Sequence, residues 1–156
     1  MNGTTLVYAL LAAAAGVCIA LQASANGKLR QHLAGDQEYA GPAWASFLSI
    51  CGTILCATLA MAVLRPPPPS REALQATTWW NWIGGPLGAL IVLAGATLTP
   101  KLGAAAFIAL VVAGQLLCSV VLDHFGLMGL PVTPISGWKV LGAVLVLGGV
   151  VCIKFL

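Results

Sequence analysis

The sequence predicts an all-α integral membrane protein with five transmembrane helices. Of its 156 residues, 60% are hydrophobic and only 7% are charged, whereas a soluble domain carries about 25% charged residues. About 20 residues of helix cross the hydrocarbon core of a bilayer, and four segments without Lys, Arg, Asp or Glu are at least that long. These segments are residues 1–27, 39–64, 73–100 and 102–122.

A fifth and shorter apolar segment lies between Lys139 and Lys154. Lysine side chains near the ends of a helix can extend along it and place their ammonium groups at the lipid headgroups, so residues 138–155 can still span. Together the five segments predict a single transmembrane domain over residues 1–156. Its predicted helices are residues 5–25, 42–64, 79–98, 102–123 and 136–155.

The first predicted helix is interpreted as an uncleaved span. Residues 1–5 lack the Lys or Arg that opens a signal peptide, and the apolar stretch is longer than a signal core. Asn26 and Gly27 suit the left-handed cap that ends many helices, so the helix is predicted to stop there. The polar residues 28–38 are then expected in water.

The connections between the other helices are predicted to be short. The four prolines at residues 66–69 predict a stiff extended spacer after the second helix. Trp79, Trp80 and Trp82 mark the return to the membrane, since indole rings prefer the headgroup level. Residues 99–101, Thr-Pro-Lys, predict a tight hairpin between the third and fourth helices. The five cysteines lie inside apolar spans, with neither a disulfide framework nor zinc-ligand spacing.

Lysine and arginine are almost evenly divided between the two sides of the predicted bundle. Orientation follows the side that is richer in these residues, and here the division is four against three. Such a balance predicts that the chain inserts in both directions and that opposite copies pair as an inverted repeat of ten helices, the symmetry of many secondary transporters. A uniquely oriented chain with a modest bias is the alternative. With the N-terminus outside, the inner residues are Lys28, Arg30, Lys101 and Lys154, and the outer residues are Arg65, Arg71 and Lys139.

Four short motifs occur in order along the chain. They are QASAN at residues 22–26, WWNWIGG at 79–85, PKLGAA at 100–105, and AGQ at 113–115 followed by DHFG at 123–126. Together they resemble the YdcZ-like family of small bacterial inner-membrane proteins, in the drug/metabolite transporter superfamily. The resemblance covers nearly the whole chain and implies a multi-pass protein of the bacterial inner (cytoplasmic) membrane. It also implies a five-helix unit, paired as a dimer or fused into a ten-helix chain.

Polar side chains inside the spans are the candidate substrate-binding residues, because a polar group in hydrocarbon is costly unless it is paired or faces water. Gln22 and Asn26 share one face of the first helix. Gln115, Ser119 and Asp123 follow one another at spacings of four and form a polar stripe on the fourth helix. Each set either lines a water-filled cavity or joins neighbouring helices by hydrogen bonds, and Asn26 could instead cap its helix. Trp80 is a candidate wall for a cation or planar solute, with interfacial anchoring as the alternative.

Two further sets of residues carry hypotheses about the transport cycle. Asp123 and His124 are the titratable pair near a span and the candidates for proton coupling. The alternative is that they mark the membrane interface, with Asp123 accepting bonds from a neighbouring loop. Gly84, Gly85 and Gly88 predict close helix packing or a gating discontinuity in the third helix.

These features predict a secondary transporter of a small polar metabolite, working by alternating access as an antiparallel, dual-topology homodimer in the lipid bilayer. The alternatives are a small dual-topology channel and a non-transporting accessory subunit of a larger membrane complex. No catalytic or metal-ligand grouping is evident in the sequence, so no enzyme, cofactor or metal is predicted, and the small, scattered net charge of +3 predicts no nucleic-acid partner. The first helix also lacks the embedded carboxylate with which small multidrug resistance proteins bind cationic drugs.

Overall fold

The structure is a computed structural model, and it describes residues 2–155. Within that range the regular elements are all helical. Five segments, one of which joins the 3₁₀ turn Trp79–Trp82 to α4, are long and apolar enough to cross a membrane. This confirms the predicted five-span helical fold. The α-helices are α1 (Gly3–Leu33), α2 (Ala40–Leu64), α3 (Arg71–Gln75), α4 (Gly84–Leu102), α5 (Ala104–Phe125) and α6 (Gly137–Phe155).

The chain divides into two compact units, residues 1–101 and 102–156. The first unit contains α1 to α4, and the second contains α5 and α6. In the first unit, α1 and α2 form an antiparallel pair joined by residues 34–39, and in the second α5 and α6 pair in the same way.

The predicted end of the first helix at Asn26 and Gly27 is wrong, because α1 continues to Leu33 with both residues buried. The Asn26 side-chain amide donates to Ser49 Oγ at 3.1 Å. A methyl group at Gly27 would lie 3.3 Å from the Pro100 ring, so α1 and α4 approach closely there. By local preference, Asn26 and Gly27 favour the end of a helix. Their tertiary contacts keep them inside α1.

The predicted hairpin at residues 99–101 is also wrong. α4 passes through Pro100 and ends at Leu102, and only Gly103 separates it from α5. A proline in a helix removes one backbone hydrogen bond, yet the helix can continue past it in a membrane when neighbouring groups compensate. Gly103 has φ +86°, which glycine adopts without steric cost.

The connection between α2 and α4 contains the short helix α3, which the sequence analysis did not predict. The Ser70 hydroxyl oxygen caps it by accepting from the Ala73 N–H at 3.1 Å. Hydrogen bonds from the Glu72 backbone N–H and from Ser70 lower the pKa of the Glu72 carboxyl group. Residues 66–69 are non-helical, in keeping with the predicted proline spacer.

Small residues form the core of the first unit. Ala45 and Ala96 are 0% exposed, and such residues let membrane helices pack closely. The opposite ends of the three long helices, residues 3–22, 51–64 and 84–94, contain no buried residue among those described. The unit is therefore tightly packed at one end and open at the other. Its buried residues are Ala23, Asn26 and Gly27 in α1, Gly41, Pro42, Ala45 and Ser46 in α2, and Gly95, Ala96 and Thr99 in α4.

In the second unit, α5 ends in a left-handed glycine cap. Gly126 has φ +60°, and its N–H donates to the Leu122 carbonyl. A Cβ at this position would lie 2.7 Å from Val132 Cγ2 and 3.1 Å from the Leu130 carbonyl oxygen. Only glycine fits both the backbone conformation and the space.

Gly126→Ala is expected to lower the free energy of unfolding by about 2 kcal/mol or more, because it adds crowding to a left-handed strain of about 1–2 kcal/mol. Gly129→Ala is the matched control, since Gly129 has φ +79° but a methyl group added there would meet nothing within 4 Å. Thermal unfolding in detergent would compare the two variants. Equal losses would show that the Val132 contact contributes nothing.

Candidate functional site

A cavity of about 630 Å³ lies between α1, α2 and α4 at the open end of the first unit. Sites for small molecules have volumes of about 300–1,000 Å³. Gln22 of α1 borders the cavity, as do Ile50, Thr53 and Ile54 of α2 and the glycine-rich start of α4. We call this volume the central cavity.

Gly84, Gly85 and Gly88 border the central cavity. A methyl group added at any of the three would meet no atom of the described residues within 4 Å. The helix-packing contact predicted for them is therefore not made inside this unit, where the helices are apart. Without side chains, these residues widen the cavity and leave the backbone of α4 accessible from it.

The central cavity contains few polar groups. The Gln22 side-chain amide has no hydrogen bond to any residue that the structure describes, and Gln22 borders the cavity. The Thr53 hydroxyl donates to the Ser49 carbonyl at 3.1 Å and keeps its lone pairs for another donor. Apolar walls with a few polar groups are typical of small-molecule sites. Thr53 is not among the residues predicted from the sequence, although its spacing of four from Ser49 places both on one face of α2.

Asn26 and Trp80 do not border the central cavity. Asn26 is only 6% exposed and joins α1 to α2 through Ser49. Trp80 is half-buried beside Trp79, with the ring centroids 5.8 Å apart in an edge-to-face arrangement. Of the substrate-binding residues predicted in the first unit, only Gln22 lies at this cavity.

In the second unit, Gln115 and Ser119 are both exposed along α5. The Ser119 hydroxyl donates to the Leu116 carbonyl at 2.9 Å, within its own helix. Within residues 2–155 no partner is present for the Gln115 amide. The Gln115 and Ser119 part of the predicted polar stripe is therefore uncovered in this unit.

Asp123 and His124 join the end of α5 to the connection that leads to α6. The Asp123 carboxylate lies 3.8 Å from Lys139 Nζ, and the Asp123 backbone carbonyl accepts from the Thr133 N–H at 2.7 Å. His124 Nδ1 accepts from the Ile135 N–H at 3.2 Å. The interfacial interpretation and proton coupling both stay predictions.

The five apolar helices define a multi-pass membrane protein. Residues 7–152 match the family described as "Putative inner membrane exporter, YdcZ". That match covers nearly the whole chain, so the chain belongs to this family of bacterial inner-membrane proteins. The predicted family resemblance and the predicted location in the inner membrane are both confirmed.

One curated relative is "Inner membrane protein YdcZ" of Escherichia coli (strain K12), which is 36% identical over 78 residues. The aligned region makes up 50% of this chain and 52% of that protein, so the chain matches about half of the relative's length. No solved structure matches the chain significantly. The family is described as an exporter, which fits a transporter rather than an enzyme.

Proposed function

We propose that the protein is a secondary transporter of a small polar metabolite, working by alternating access as an antiparallel, dual-topology homodimer. Each chain, residues 1–156, would form one transmembrane domain, and two chains would form the ten-helix assembly. The observation that supports the proposal most strongly is the central cavity, whose volume suits a small solute. Its lining includes the Gln22 amide, which has no hydrogen bond to a described residue, and Gly84, Gly85 and Gly88.

The uncovered polar stripe supports a second copy. Gln115 lies in the middle of an apolar span and is exposed. An unpaired amide in hydrocarbon costs several kcal/mol, so it needs protein or water beside it. A second copy can provide both, by covering α5 and enclosing a hydrated path with Gln115 and Ser119 along it.

The near balance of lysine and arginine supports an inverted arrangement of the two copies. The first unit is packed at one end and open at the other, so an inverted pair would present one packed end and one open end on each side of the membrane. When the two copies exchange conformations, the solute site would then be exposed to the other side. The family description as an exporter supports outward transport.

The lining of the central cavity supports an uncharged or zwitterionic solute. Among residues 2–155, those that line it include no charged side chain, and an unpaired ion there would lose its hydration without compensation. Gln22 and Thr53 would hydrogen-bond the solute, and the accessible backbone near Gly84 and Gly88 would supply further polar groups. Asp123 and His124 are the proposed proton-coupling pair.

Gln22→Ala is expected to weaken solute binding by about 2- to 13-fold, since a neutral hydrogen bond contributes about 0.5–1.5 kcal/mol. A thermal-shift screen with uncharged and zwitterionic amino acids and sugars would supply the solute, and saturable counterflow into liposomes would measure its transport. Gln37→Ala removes an amide from the exposed connection before α2 and is the control. Flux without saturation or exchange would indicate a channel, and a hit that Gln22→Ala leaves unchanged would contradict the assigned site.

Dual insertion predicts that a single cysteine is labelled from both sides of the membrane. Ser70→Cys, in a variant without the five native cysteines, places one thiol in the exposed connection after α2. An impermeant maleimide is expected to label about half of the copies from each side, as the near balance of charges implies. Labelling from one side alone would exclude the inverted dimer.

A further inference from the structure

A second cavity, of about 510 Å³, lies where α1 and α4 end and α2 begins. It shares no lining residue with the central cavity. Its charged members are Arg30, Glu38 and Lys101, and its apolar wall includes Pro42 and Leu93. We call it the terminal cavity.

The charged groups of the terminal cavity leave a net positive charge. Arg30 Nη1 donates to the Thr97 carbonyl at 2.9 Å, which orients the guanidinium group and uses one of its five N–H donors. Lys101 Nζ lies 3.3 Å from Glu38 Oε1. Two cations and one carboxylate leave one positive charge, and the other Arg30 donors are available for an anion.

The position of the two cations indicates the headgroup level of the membrane. Arg30 lies three residues before the end of α1, and Lys101 lies one residue before the end of α4. Tyr39, at the start of α2, is 71% exposed beside them, and tyrosine is enriched at this level. The terminal cavity therefore opens where phospholipid phosphates lie.

An apolar groove continues from the terminal cavity along α2. It is lined by Ala43, Trp44 and Phe47, and Ala43 also lines the terminal cavity. The Trp44 and Phe47 rings stand edge to face with centroids 5.9 Å apart, and both side chains are more than half exposed. The cationic pocket and the apolar groove form one continuous surface.

We propose that this surface binds an anionic phospholipid. The lipid phosphate would pair with Arg30 and Lys101, since charge-assisted bonds from arginine and lysine to phosphate are strong. An acyl chain would lie along Trp44 and Phe47. A zwitterionic lipid binds less well, because its ammonium group adds a cation beside two others. This proposal does not depend on the identity or the transport of the solute.

Native mass spectrometry of the delipidated protein would test the proposal, with phosphatidylglycerol and phosphatidylethanolamine as probes. We expect about tenfold preference for phosphatidylglycerol, because its headgroup keeps a net negative charge beside Arg30 and Lys101, whereas the ammonium group of phosphatidylethanolamine cancels that charge. Lys101→Gln is expected to remove most of that preference, and Trp44→Ala to weaken both lipids. Lys28→Gln removes the same charge from the same end of the unit, outside the terminal cavity, and is expected to keep the preference.

The proposal would be overturned by equal binding of the two lipids, by an equal loss in Lys28→Gln, or by displacement of the lipid by free glycerol phosphate. The last result would indicate a site for a soluble anion. Loss of bound lipid when the protein dimerises would also overturn it, by showing that a second copy covers the surface. Arg30→Gln is not the main variant, because it also breaks the bond to Thr97. Gln22→Ala is expected to keep the lipid preference, so this test and the transport test can fail separately.

Discussion

Gly88→Phe is expected to lower solute counterflow by more than about tenfold, since the loss of only about 1.4 kcal/mol of binding free energy has that effect. Gly88 borders the central cavity, and a methyl group there would meet no atom within 4 Å. The phenyl ring can therefore occupy the volume that the solute needs without straining the fold.

The matched control for this variant is Gly52→Phe. Gly52 lies in α2, is equally free of neighbours and does not line the central cavity. Counterflow by reconstituted protein and thermal unfolding in detergent would be measured on both variants. We expect the two to unfold at similar temperatures and to differ in flux. Full transport by Gly88→Phe would show that the solute passes elsewhere.

Gly41→Ala is expected to destabilise the first unit strongly. The new Cβ would lie 2.5 Å from the Arg30 carbonyl oxygen and 3.2 Å from Ala34 Cα, both backbone atoms. Backbone atoms cannot rotate away as a side chain does, so α1 and α2 have to separate. The expected loss is at the upper end of the about 1–3 kcal/mol that overpacking costs.

Gly52→Ala tests whether that loss comes from crowding. Nothing lies within 4 Å of a methyl group at Gly52, and alanine is favoured over glycine inside a helix by about 1 kcal/mol. The temperature of thermal unfolding is expected to fall for Gly41→Ala and to stay or rise for Gly52→Ala. A similar result for both variants would contradict the close approach of α1 and α2.

The five spans could be predicted because the absence of charge over some 20 residues is a local property of the sequence. The ends of α1 and α4 could not be predicted in this way. Within α1, Asn26 bonds Ser49, which is 23 residues away, and within α4, Pro100 packs against Gly27. Both contacts join distant parts of the chain, and no local pattern contains them.

The same reason limits what could be predicted of the site. A polar residue in a membrane span costs free energy unless a polar partner or water lies beside it. The sequence does not indicate which neighbour is that partner. Gln22 lies at the central cavity with the predicted glycines, whereas Asn26 finds a partner in Ser49 and Trp80 packs beside Trp79. Arg30 and Thr97 are 67 residues apart in the chain. The bond from Arg30 to the Thr97 carbonyl therefore depends on the packing of α1 against α4.

The core of alanine and glycine at one end of the first unit has a mechanical consequence. Alanine and glycine have no rotamers to reorder, so helices that meet there can tilt about the contact at little entropic cost. Ala45 is completely enclosed, and α2 continues for 19 residues beyond it to Leu64. That length is about 28 Å, so a tilt of about 10° moves the far end of α2 by about 5 Å. A small rotation of α2 about the packed end would then move its far end by enough to admit a solute.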